Sequence, residues 1–205
     1  CNDTLDLHRK STSLLFNFDE EIAADIVEKA KELDVCGHEI ERSCIRFIAM
    51  EQPLATDLMY IESSIRVISH VKRIAYLCRN IAESAATIEG IKVSNKIMGD
   101  LEYMADYVQI MLTRGFGSFC NQDISVAREL ASDDDKVDDL FDIILSHTTE
   151  LLTEKTQNAL EIVNIIFIAR YLERIADRVV NIGERVIFIN THKRPHIEEL
   201  KKEEQ

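Results

Sequence analysis

Residues that turn a chain are scarce here, with only 6 glycines and 2 prolines among 205 residues. Sandwiches and barrels need frequent turns, so this scarcity argues against them and favours a few long helices. The 5 cysteines are odd in number and form no Cys-x-x-Cys pair. That pattern suits a reducing cytoplasm rather than a disulfide scaffold, and Cys78, on an apolar helical stripe, reads as a small core residue. No signal peptide is visible, and no apolar run approaches the ~20 residues that span a bilayer. Even Ile165-Ile166-Phe167-Ile168-Ala169 is soon interrupted by charge. Basic residues are the minority, 24 Lys and Arg against 37 Asp and Glu, for a net charge of −13. A broad nucleic-acid footprint needs a basic face, so direct nucleic-acid binding is not expected. The acidity fits cation binding, a basic protein partner or a well-solvated surface. Catalytic signatures are missing too. No Glu-x-x-His pair of the di-iron bundle type occurs. No Ser or Cys has a base–orienter arrangement, which leaves nucleophilic catalysis without support. His38, His70 and His147 are isolated from one another at metal-ligand spacings and read as ordinary helix residues.

What is present is an internal repeat. Tyr171-Leu172-Glu173-Arg174-Ile175-Ala176-Asp177, followed by Asn181-Ile182-Gly183-Glu184, has a faint copy in Arg73-Ile74-Ala75 and Asn80-Ile81-Ala82-Glu83. The register is constant, since 174 − 73, 181 − 80 and 184 − 83 all equal 101. Two copies of one unit are expected. Ile165, Ile168, Leu172, Ile175, Val179, Ile182 and Val186 recur at alternating steps of three and four, a heptad seam. Val67, Val71, Ile74, Cys78 and Ile81 form the matching seam in the first copy. The sequence therefore predicts an all-α fold of two tandem three-helix bundles, spanning 1–90 and 100–192, with a charged tail at 193–205. Within the first, helices are expected over Leu5–Leu33 and Val35–Met50, with Pro53 in the first turn of the third. Within the second, they are expected over Met104–Ala131, broken or kinked at Gly115–Gly117, and over Asp135–Leu152. The link between units is placed around Gly90–Gly99. Tyr60, Tyr103 and Tyr107 look like packing or interface residues, and His192-Lys193-Arg194 is suited to complement a helix dipole.

Chemistry is suggested by carboxylates. Glu173 and Asp177, four residues apart, share one helix face, and Asn181 and Glu184 continue the stripe. None lies on the seam, so a site here is expected at the surface. Asp134 and Asp138 form a second such pair within the run Asp133-Asp134-Asp135-Lys136-Val137-Asp138-Asp139. That run reads as the opening of a helix, where acidic residues complement the dipole. On adjacent antiparallel helices the two pairs could converge, and carboxylates at that range repel unless a cation joins them. Hard cations with oxygen ligands suit such a site: Mg, Mn, Ca or iron. At the offset of 101, Asp134, Asp138, Glu173 and Asp177 correspond to Leu33, Gly37, Lys72 and Tyr76. All four carboxylates are missing from the first copy while its seam persists. A single metal site, in the second unit, is the expectation.

These residues resemble the PhoU family of phosphate-uptake regulators. Leu172-Glu173-Arg174-Ile175-Ala176-Asp177 and Asn181-Ile182-Gly183-Glu184 match its Leu-Glu-Arg-Ile-Gly-Asp-His-like motif and the Asn-Ile-Ala-Glu that follows. Asn80-Ile81-Ala82-Glu83 matches the first copy. Gln52-Pro53-Leu54-Ala55-Thr56-Asp57-Leu58 looks like the segment that opens the third helix. The resemblance implies tandem three-helix bundles with surface metal clusters bound through paired Glu/Asp-x-x-x-Asp motifs, here Glu173 with Asp177 and Asp134 with Asp138. Arg178 departs from the motif, which often has His there. The implied role is a non-enzymatic cytoplasmic adaptor that restrains a phosphate ABC transporter, through its ATPase, and a sensor histidine kinase. A homodimer, and membrane association only through partners, belong to the same reading. PhoU-like domains are also appended to DNA-binding and ion-transport proteins, and a chain opening on Cys1 could be such a regulatory fragment. Two rival readings are a carboxylate-bridged metalloenzyme on a helical bundle and a metal-free scaffold whose acidic faces dock basic partners.

Overall fold

In the computed structural model, residues 1–88, 94–154 and 159–193 are described, and all the regular structure among them is helical. The helices are α1 (Asn2–Ser13), α2 (Glu20–Glu51), α3 (Ala55–Ile88), α4 (Asn95–Asn121), α5 (Ile124–Glu154) and α6 (Ala159–Thr191). The first three form one bundle and the last three the other. The charged tail beyond Lys193 and residues 89–93 of the expected link lie outside the described residues.

Helix starts follow capping chemistry rather than the boundaries expected from the sequence. The first unit does not divide near Leu33. Asp19 accepts from the backbone N–H groups of Glu21 and Ile22, starting α2 there, and α2 runs unbroken through Leu33 and Val35. In the second unit Asp123 does the same for Ser125 and Val126, so α5 begins about ten residues earlier than expected. Gln52, Gln122 and His192 adopt left-handed φ values of 47°, 55° and 58° directly after α2, α4 and α6. Each backbone N–H reaches back to the carbonyl four residues earlier, to Ile48, Ser118 and Phe188. Pro53 accordingly precedes α3 instead of lying in its first turn. Ser94 accepts from the Lys96 N–H, so Gly99 is helical and not part of the link.

The expected kink at Gly115–Gly117 is not found, and α4 is continuous through both. Gly115 has a different task. A Cβ there would overlap Val179 Cγ1, so its hydrogen lets α4 approach α6 closely.

Both seams face inward as expected. Ile165, Ile168, Leu172, Ile175, Val179, Ile182 and Val186 are fully buried, as are Ile74, Cys78 and Ile81. Burial raises the Cys78 thiol pKa to about 12, which keeps it an inert core group. The bundles share one core, because α3 packs on α6 and α1 on α4. Polar contacts cross the same boundary. His8 Nδ1 lies 2.7 Å from Gln109 Oε1, and Arg185 reaches Glu62 at 3.3 Å. Tyr60 stacks on Phe119 with ring centroids 5.9 Å apart.

Candidate functional site

The aspartate run is not a helix opening. It lies well inside α5, which starts at Ile124, so dipole complementation does not account for it. Its members face different ways. Asp133 turns toward α4, where it accepts from Tyr107 Oη at 2.6 Å and pairs with Arg114, with Lys136 at 3.4 Å. Asp134 is buried and Asp138 exposed.

Across the α5–α6 seam, Glu173 is part-buried and Asp177 exposed. Desolvation raises the Glu173 pKa, opposed by Arg170 and reinforced by the charges of Asp177 and Asp138. Glu173 thus senses two of the other expected carboxylates, one on its own helix and one on α5. Arg170 pairs with Glu173 Oε1, while Oε2 is buried without a hydrogen-bond partner. The surface expectation holds only in part, since Glu173 is part-buried while Asp177 is exposed. Among the described residues no three His, Cys, Asp or Glu side chains are already gathered closely enough to hold a metal ion. Glu173 Oε2, a buried carboxylate oxygen without a hydrogen-bond partner, has donor chemistry that fits a hard cation.

The first unit carries the same helix face with the charge reversed. Lys72 lies across Gly37, where a Cβ would overlap its side-chain carbons. This contact repeats the Glu173–Asp138 register at the offset of 101. The ammonium sits 3.3 Å from Glu41 Oε1 and 3.6 Å from Asp34 Oδ1, with the His38 ring 3.3 Å away. A covalently attached cation therefore joins α2 to α3 at the place corresponding to the carboxylates between α5 and α6. Arg170, Asp34 and Glu41 were not anticipated from the sequence. The three-residue spacing of Arg170 and Glu173 was the one available signal, since such neighbours pair on a helix. His147 also has a partner, Asp100 at 3.0 Å.

Elsewhere, a cavity of about 660 Å³ at the α2–α3 turn is lined by apolar groups including Ile40, Phe47, Pro53 and Leu54. No helix among the described residues is long and apolar enough to cross a membrane.

A family model described as the PhoU domain matches residues 1–85 and again 101–186. A relative from Methanothermobacter thermautotrophicus, named phosphate-specific transport system accessory protein PhoU homolog 1, is 43% identical over 94% of this chain and 88% of its own. A Clostridium acetobutylicum homolog with the corresponding name is 29% identical over 85% and 80%. The crystal structure of PhoU from Pseudomonas aeruginosa superposes with a TM-score of 0.89 at 24% identity, covering 94% of this chain and 92% of that one. At that identity the superposition establishes the fold alone.

Proposed function

The chain belongs to the PhoU family, and from that membership we propose that it regulates phosphate uptake as an accessory protein of a phosphate-specific transport system. Two domain matches covering most of the chain support this reading, as do relatives named for that role. In this reading it is a cytoplasmic, non-enzymatic adaptor that works by binding. It restrains the ATPase of a phosphate ABC transporter and a sensor histidine kinase when phosphate is plentiful, as a homodimer that meets the membrane only through those partners. Deleting the chain in its host should raise phosphate uptake at high external phosphate, and unchanged uptake would refute the role.

A metal-dependent face on the second unit is the second part of the proposal. Asp134, Asp138, Glu173 and Asp177 would hold the ion, iron or another hard cation such as Mg or Mn. The observation that carries it is Glu173 Oε2, buried without a hydrogen-bond partner beside the charges of Asp138 and Asp177. A bound cation would relieve their mutual repulsion and tie α5 to α6. Elemental analysis should find stoichiometric metal in the purified protein and none in the Asp134→Ala, Asp138→Ala, Glu173→Ala, Asp177→Ala quadruple variant. Chelation should also lower the melting temperature of the wild type and leave the variant unchanged. Equal metal content in both would rule the face out.

A further inference from the structure

Between the two units, where α3 meets α2 and α6, lies a cleft of about 510 Å³ lined by Asp34, Ser69, His70, Lys72, Arg73, Tyr76 and Arg178. Three permanent cations on two helices converge here, in a chain whose net charge is −13. Lys72 is held against the α2 wall by Asp34 and Glu41. With those two carboxylates counted against the three cations, the net local charge is +1. Arg73 lies over the Tyr76 ring, 5.3 Å from its centroid. No ion pair joins Arg73 or Arg178 to a carboxylate among the described residues. The Arg178 Nε is buried and has no hydrogen-bond acceptor, an arrangement that costs stability unless something accepts from it. His70 reports the local field. Desolvation and the charges of Arg178, Arg185 and Arg66 lower its pKa to about 4, so it is a neutral donor or acceptor at neutral pH.

We propose that this cleft binds a phosphate group, either inorganic phosphate or the phosphoryl end of a small organic phosphate. Arg73, Arg178 and Lys72 neutralise it, and the Ser69 and Tyr76 hydroxyls donate to its oxygens. Guanidinium forks match tetrahedral oxyanions with paired hydrogen bonds, which favours phosphate over halide. The site does not depend on the metal reading. Asp177 precedes Arg178, but consecutive helix residues point in different directions.

Calorimetric titration of the full chain, stripped of metal by chelator, tests this with inorganic phosphate and ATP as separate probes and sodium chloride as control. Saturable binding of at least one phosphate probe is expected. Arg73→Ala and Arg178→Gln should each weaken it roughly tenfold, about 1.4 kcal/mol, whereas Lys136→Ala on α5 should not. Binding of inorganic phosphate would identify the free ion as sufficient, and binding of ATP alone would identify an organic phosphate. No saturable heat at millimolar probe would overturn the proposal. So would undiminished binding by a folded Arg73→Ala variant, or binding seen only when metal is restored. Arg73 is exposed, so its truncation does not threaten the fold and decides the matter if Arg178→Gln fails to fold.

Discussion

His8 is buried between α1 and α4 as a neutral imidazole, where desolvation lowers its pKa to about 4 against the hydrogen bond to Gln109 and the charge of Asp106. Because the folded value lies below the unfolded one, protons favour the unfolded chain. The stability His8 contributes is complete above about pH 6.5 and is lost as pH falls toward 4, at roughly 1.4 kcal/mol per pH unit. Urea denaturation across that interval should show a shallower pH dependence for His8→Gln, and an unchanged slope would mean the imidazole is not the group responsible. Burial also ranks the apolar residues. Ile74→Ala and Ile175→Ala each remove a fully buried side chain and should cost roughly 2–5 kcal/mol. Leu54 is 81% exposed, and Leu54→Ser should stay within about 0.5 kcal/mol of the parent in the same denaturation series.

For the helices, the informative positions are starts and crossings. Asp19→Ala and Asp123→Ala each remove a side chain that accepts from two backbone N–H groups, and each should cost about 1 kcal/mol in chemical denaturation. Gly115→Ala forces a methyl group into Val179 and should cost roughly 1–3 kcal/mol. Most of that loss should be recovered in Gly115→Ala with Val179→Ala, because the second change empties the space the first one fills. A double-mutant cycle showing simple additivity would refute the contact.

These same positions show what a sequence can reveal about such a fold. The seams were legible because a stripe such as Ile165 to Val186 repeats with the helix period over many turns. The starts were not, because a single capping Asp resembles any other, and the dense aspartate run at 133–139 imitated a cap better than Asp123 did. The candidate carboxylates were legible by their four-residue spacing and by their joint loss in the first copy. Their unequal burial was not, since it depends on how deeply α5 and α6 interlock. The cationic cleft was invisible because Lys72 and Arg178 are about a hundred residues apart in sequence and meet only where the two units pack.

For the molecule as a whole, one apolar core runs through both bundles by way of α3 and α6. Neither bundle can then unfold without exposing the other's buried face. A single calorimetric transition is expected, shifted downward alike by Ile74→Ala in the first unit and Ile175→Ala in the second. Two resolved transitions, each sensitive to one substitution, would show that the shared core does not couple them.

The Lys72 ammonium is attached to the chain, so no chelator can strip it from α2 and α3 and no change of medium can exchange it for another ion. At the corresponding place in the second unit, Glu173 meets Arg170 at one oxygen and has no hydrogen-bond partner at the other. The tie between α2 and α3 thus works as a rivet that belongs to the chain it fastens, and not as a clasp that removal of an ion could open.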